Sequence, residues 1–215
     1  MDRNCNSLFR IEGEKIRYLL CQNEASLVYM ANLGYIELHT WNSRYRSPYN
    51  PDYLVLDINP LDIDFRYAVE VALATREVIE HAGAEGFCKT SGATGLHIYI
   101  PMGAKYTTEQ VQQFTQLINL LANERLPKTT SLERLPDKRH GKMYLDYLQN
   151  HRGSTMAASY CLRPRKGTPV SAALSLRALR AQWRRCAASS GFATGKERPS
   201  SAQRLRNTIF RPSSI

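Results

Sequence analysis

Residues 52–64 read DYLVLDINPLDID. Leu54, Val55, Leu56 and Ile58 form an apolar run around Asp57, and the turn-forming pair Asn59-Pro60 closes it. A short apolar run bounded in this way predicts a buried strand over 53–58. Side chains at i and i+2 of a strand share a face, so Asp57 and Asn59 would present two oxygens side by side. A strand end offers ligands to a metal in this manner. Here one of the two is an amide rather than a carboxylate.

Outward from this strand, helical and strand patterns alternate. Residues 14–33 space Ile16, Leu19, Leu20, Leu27 and Met30 at helical intervals, with Gly34 placed as a C-terminal stop. YIELHTW (35–41) alternates like a strand. Residues 65–83 form an amphipathic pattern with Asp64 as N-cap and Gly83 after its end, and Asp62 reads as a turn residue. GFCKTS (86–91) and LHIYIP (96–101) read as strands joined by Gly92-Ala93-Thr94-Gly95. Residues 107–126 predict a third helix, opened by a capping box at Thr107–Gln110. MYLDYL (143–148) is a strand pattern, and a Gly- and Arg-containing loop then leads to SYCLRPRKGTPVSAAL (159–174). Helices interleaved with strands predict an α/β or α+β domain.

After Leu174 the texture changes to Arg, Ser and Ala, with a helical stretch possible at 175–188. This segment is expected to be disordered or weakly helical. It holds eight Arg, one Lys and one Glu, so +8 of the net charge of +10 sits there. The remaining body is nearly balanced, and a nucleic-acid partner inferred from charge alone would rest on the tail. No apolar run approaches the roughly 20 residues that span a bilayer. The N-terminus has no apolar core of a secretory signal. Five scattered cysteines with no CxxC pair argue against a zinc site or a disulfide framework, and fit a reducing cytosol.

Four constellations carry candidate chemistry. Asp57, Asn59 and Asp146 would bring oxygen ligands from two strands to one metal site, as phosphoryl and nucleotidyl transfer require. The competing reading makes each Asp a strand-ending turn residue. Lys89-Thr90-Ser91-Gly92-Ala93-Thr94-Gly95-Leu96-His97 offers glycines for close backbone approach, with hydroxyls, a Lys and a His for phosphate oxygens. It lacks the Walker A spacing and equally reads as a plain hairpin connection. Arg163, with Arg152 and Arg165, would clamp a triphosphate or simply be solvated. His39, beside Trp41, reads as packing or as a site residue.

Taken in order, IELHTWNSR, LVLDINP, KTSGATGLHIYIP, YLDYLQNHRG and SYCLRPRKGTPVS resemble the polymerase domain of bacterial DNA ligase D, of the archaeo-eukaryotic primase superfamily. The resemblance covers residues 14–174, leaving 1–13 as an unmatched segment and 175–215 as the basic tail. It implies a primase-like sheet that carries the metal ligands and is flanked by helices. It implies catalytic divalent metals, Mn2+ or Mg2+, at Asp57, Asp146 and Asn59, with His39 as an upstream active-site residue. It implies nucleotide contacts at Lys89, Ser91, Gly92, Thr94, His97 and Arg163, and DNA contacts at Arg152 and Arg165. The implied reaction adds nucleotides from an NTP or dNTP to primer or broken DNA ends in non-homologous end joining, by a two-metal mechanism. The end-binding Ku protein and the family's ligase and nuclease domains are the implied partners, in a bacterial cytoplasm at the nucleoid.

Three departures accompany the resemblance. The family's Asp-x-Asp-Pro reads Asp57-Ile58-Asn59-Pro60 here. The family's longer N-terminal segment is not matched, and the tail after Ser171 reads like translation out of frame, as in a fragment or a decayed copy. Two divalent cations bring +4; three carboxylates would offset −3, whereas this chain offers −2. Losing a charge at close range costs several kcal/mol. Weakened metal binding and impaired catalysis are therefore expected, with a catalytically inactive nucleotide- or DNA-binding remnant as the alternative.

Overall fold

The computed structural model describes residues 6–11, 14–60 and 63–182. β1 (Asn6–Ile11) and β2 (Glu14–Leu19) form an antiparallel hairpin. α1 (Glu24–Asn32), β3 (His39–Trp41) and β4 (Tyr53–Asn59) follow. Then come α2 (Phe65–His81), β5 (Phe87–Thr90), β6 (Leu96–Pro101) and α3 (Thr108–Arg125). β7 (Thr130–Ser131), β8 (Met143–Asp146), β9 (Thr155–Ala157) and β10 (Ala173–Leu174) complete the order.

β4 lies inside a six-stranded sheet of order β10-β5-β6-β4-β8-β7, while β3 and β9 pair separately. All neighbours in the large sheet run antiparallel except β7 and β8. Strand alternation sorts its residues into two faces. Leu54, Leu56 and Ile58 pair with Ile100, Ile98 and Leu96, and Ile58 also pairs with Leu145. These side chains are all buried, in one cluster with Ala68, Val69 and Ala72 of α2 and Val111 and Ala122 of α3. Fully burying a Leu or Ile contributes about 1.5–3 kcal/mol, so this face and its two helices hold the domain together. The opposite face is left for polar chemistry.

The predicted caps are present. The Asp64 carboxylate accepts from the Arg66 amide at 2.9 Å, and Thr107 with Gln110 forms the capping box. Gly34 and Gly83, at φ +83° and +74°, close α1 and α2. Asp62 lies outside the described residues.

The expected helix over 14–33 is instead a strand and a helix. Over so few residues, Ile16, Leu19 and Leu20 satisfy either period, and pairing with β1 decides for the strand. Asn23 starts the helix, its side chain accepting from the Ser26 amide at 2.9 Å. The strand expected at 35–41 is paired only over His39–Trp41, and its partner β9 falls in a stretch that reads as loop. The strand expected over 143–148 stops at Asp146, whose carboxylate accepts from the Leu148 amide at 2.8 Å and turns the chain into a short 3-10 segment.

Both ends of the expected domain reach further than 14–174. The β1–β2 hairpin takes in residues 6–11, and Leu176 and Leu179 beyond Leu174 are buried in the main core. The tail past residue 182 lies outside the described residues. No described helix is long and apolar enough to cross a membrane.

Candidate active site

Across the polar face, one row of paired positions runs Ala173, Lys89, His97, Asp57, Asp146, from β10 to β8. Directly opposed residues in antiparallel strands have Cβ atoms about 4.5–5.5 Å apart, so register alone brings these side chains together. Asn59, two residues beyond Asp57, joins the same face opposite Tyr144. Its amide oxygen accepts from the Thr94 hydroxyl at 3.3 Å. Stretches far apart in the sequence thus converge on one surface.

The charges in the row are strongly perturbed. Burial pushes the Asp57 carboxyl up to about 7; the Asp146 carboxylate adds to the rise and Lys89 opposes it. Burial lowers the Lys89 ammonium to about 8, with Arg163 pushing the same way. His97 is lowered to about 3 by burial, then by Lys89 and Arg163, so its imidazole is neutral. Its Nε2 lies 3.5 Å from Asp57 Oδ1, a contact that is therefore not an ion pair. His97 Nδ1 is buried without a hydrogen-bond partner.

Lys89 is more deeply engaged than a phosphate-contacting lysine. Its Nζ donates to the Ala157 carbonyl and to Ser171 Oγ, both at 2.7 Å, and Ser171 in turn donates to the Thr90 carbonyl at 2.8 Å. These bonds tie β5 to the end of β9 and to the approach to β10. The ammonium acts as a fixed charge under the site, and two of its donors are already spent on the framework.

The Ser91–Gly95 loop is built around one hydroxyl. Ser91 Oγ accepts from the Ala93 and Gly95 amides at 3.1 and 3.0 Å, and its own proton takes part in neither bond. Gly92 has φ +73°, and a Cβ there would lie 2.6 Å from Arg163 Cγ. Gly95 is pressed against the β4 backbone, where a Cβ would collide with the Ile58 carbonyl oxygen. The glycines thus serve close packing of the loop against Arg163 and β4.

Arg163 reaches Glu37, Nη1 to Oε1 at 2.9 Å, and His39 Nε2 lies 2.8 Å from the same oxygen. Arg163 Nε is buried with no partner. Arg152 and Arg165 do not join the row. Arg152 stacks 4.2 Å over the Tyr49 ring and donates to its hydroxyl, and Arg165 is exposed.

Sequence reading missed Glu37, Ser171 and Asn150. Asn150 bonds both backbone groups of Val55, accepting from its N–H at 2.8 Å and donating to its carbonyl at 2.6 Å, which fixes the middle of β4. The one available signal was the Glu37-x-His39 spacing within an alternating stretch.

Among the described residues, no three of His, Cys, Asp and Glu gather closely enough to hold a metal ion. The donors present among the described residues are two opposed carboxylates, whose repulsion helps raise Asp57, and the Asn59 amide oxygen on the same face. That set fits one hard divalent cation. Among the described residues it has no further carboxylate for a second.

A family model described as LigD, primase-polymerase domain, matches residues 4–194. The chain belongs to this LigD primase-polymerase family. The family is of enzyme type, and its match extends past both ends of the 14–174 span. The multifunctional non-homologous end joining protein LigD of Pseudomonas aeruginosa is 32% identical over 154 residues, covering 71% of this chain and 18% of that protein. The bifunctional non-homologous end joining protein LigD of Bacillus subtilis is 32% identical over 159 residues, covering 73% of this chain and 26% of that protein. The chain therefore spans about a fifth to a quarter of the LigD proteins it matches. A solved polymerase domain from Mycobacterium tuberculosis ligase D, in complex with DNA, aligns with a TM-score of 0.75 at 21% identity. That alignment covers 95% of this chain and 70% of that one, and it bears out the primase-like mixed α/β fold.

Proposed function

We propose that this chain is a LigD-type nucleotidyltransferase domain that adds nucleotides to primer or broken DNA ends in non-homologous end joining. The observation that carries this reading is the row Lys89–His97–Asp57–Asp146, which runs from a cationic end to an anionic end on one sheet face. A triphosphate needs cationic and hydrogen-bonding groups along its length and a carboxylate-held cation at the reacting phosphorus. Arg163, the Ser91 hydroxyl and the neutral imidazole of His97 would hold the phosphates, with Lys89 supplying charge from beneath. Asp57, Asp146 and the Asn59 oxygen would hold a divalent cation, Mn2+ or Mg2+. When bound, such a cation polarises the attacking 3′-hydroxyl and the phosphoryl oxygens. The two-metal form would require a second cation held largely by the substrate's own phosphates. DNA ends, an NTP or dNTP, Ku and the other LigD domains are the partners of this reading, and Arg152 and Arg165 its outlying DNA contacts. A nucleoid-associated place in the cytoplasm follows from that role.

Asn59 favours a second reading, a catalytically inactive remnant that keeps nucleotide or DNA binding. Manganese-dependent primer extension by the chain and its Asn59→Asp variant separates the two. The added carboxylate should raise extension at least tenfold, since about 1.4 kcal/mol of added transition-state stabilisation is a factor of ten. Wild type extending as well as the variant would refute the role given to Asn59. Duplex-end binding by both, with extension by neither, supports the remnant.

A further inference from the structure

Glu37 lies two residues before His39 of β3 and holds two donors on one oxygen. Arg163 Nη1 is at 2.9 Å and His39 Nε2 at 2.8 Å. A carboxylate only accepts, so the imidazole donates from Nε2 in this contact. The side chains of Glu37 and Arg163 keep only 21% and 17% of their surface exposed, so water screens the pair weakly.

Glu37 is not needed to place the arginine's stem. Arg163 Cγ packs into the space above Gly92, its backbone N–H donates to the Pro169 carbonyl at 2.9 Å, and the bridge between Leu162 and Val170 pins the flanking chain. The stem is set by the loop, whereas the tip is set by Glu37. What Glu37 adds is an anion on Nη1, one of the groups through which Arg163 would meet an incoming anion. A guanidinium N–H bonded to a carboxylate must leave it to bond a phosphate in the same direction.

We infer that Glu37 is a placeholder for the substrate's phosphates. It occupies the Arg163 tip while the site is empty, yields it when a triphosphate binds, and takes it back as pyrophosphate leaves. This rests on the nucleotide-site reading above and adds a function to it. The enzyme trades affinity for release, and the empty site avoids an uncompensated, half-buried cation. His39, on the same oxygen, keeps the withdrawn carboxylate hydrogen-bonded when Arg163 turns away. In this role Glu37 is a positioning residue that touches no reacting atom.

The sign of the effect tests the inference, because a purely structural role predicts the opposite. Inorganic triphosphate and ATP are titrated calorimetrically, without metal, into the full chain and its Glu37→Gln variant. The variant keeps the shape and removes the charge. Triphosphate should bind about tenfold more tightly to Glu37→Gln than to wild type, and the gap should narrow as salt rises. Adding Arg163→Gln to Glu37→Gln should erase the gain. If Glu37→Gln fails to fold, Glu37→Asp draws the charge back from Arg163 and should give a smaller gain of the same sign. Wild-type binding that the variants leave unchanged or weaken overturns the placeholder while leaving the nucleotide site standing. Absence of triphosphate binding in every form, wild type included, sinks the nucleotide-site reading and the placeholder with it.

Discussion

Asp57 is the residue on which local structure and chemistry conflict. Burial and the facing Asp146 raise its carboxyl from 3.8 to about 7, so the folded chain holds this proton more tightly than the unfolded chain. The stability linked to Asp57 is fully present below its usual value and is lost as pH rises through about 7. Asp57→Asn removes that dependence. At pH 8 and without divalent cations, the variant should melt higher by about 2–6 °C, corresponding to about 1–2 kcal/mol. The full shift would give more, but the side chain keeps 18% of its surface in water. The gain should shrink towards pH 5, and thermal melts across that range check it; a variant that melts lower at pH 8 would contradict the account. Asp57, Asn59 and Asp146 were legible in the sequence because a polar side chain amid Leu, Val and Ile needs a reason. Glu37 was not, because what distinguishes it is Arg163, far along the chain, and no local pattern signals that pairing.

Among the elements, the contact between β6 and β4 sets the register that aligns the row. Gly95 permits it, since any side chain there would meet the Ile58 carbonyl. Backbone cannot give way as the end of a flexible side chain can. Gly95→Ala should therefore cost about 2–3 kcal/mol and lower the melting midpoint by roughly 5–10 °C, with nucleotide binding weakened as His97 moves away from Asp57. An unchanged midpoint by calorimetry would show that the loop absorbs the methyl group. Long, strongly patterned elements were readable: α2 and α3 carry their caps within a few residues of their ends. The failures were short. A six-residue β2 contains too few apolar positions to separate the two periods. β9 has three residues, and its pairing with β3 is decided by the partner rather than by its own composition.

At the scale of the whole molecule, the core does not end where the composition changes. Leu176 and Leu179 are buried among α2 and sheet residues, although they stand in a stretch rich in Arg and Ser. Composition averages over such a stretch, whereas burial picks out individual side chains, so the boundary near Leu174 misplaced the end of the packed region. Leu179→Ala should lower stability by about 2–4 kcal/mol, the cost of a buried leucine and the cavity it leaves. Urea denaturation with an unchanged slope would register this as a shifted midpoint. A shift under half a kcal/mol would place Leu179 outside the cooperative core.

The bonds that frame the candidate site also dictate when it can exist. Val55 meets Asn150 across 95 positions, and Lys89 meets Ser171 across 82. Contacts of such separation carry the largest loop-closure cost and form late. A chain emerging from the ribosome holds β4, α2, β5 and β6 well before it holds Asn150 or Ser171. Until then the β4 backbone lacks its side-chain clasp, and Lys89 has no acceptors to justify leaving water. Helix and hairpin contacts can accumulate early, but the polar face closes only once residues 143–174 have been made. Nascent or truncated chains lacking that segment would carry much of the hydrophobic core and the Lys89–His97–Asp57 part of the row, but not Asp146 or the Asn150 and Ser171 bonds that frame it. Completion of the row is thus timed by topology alone.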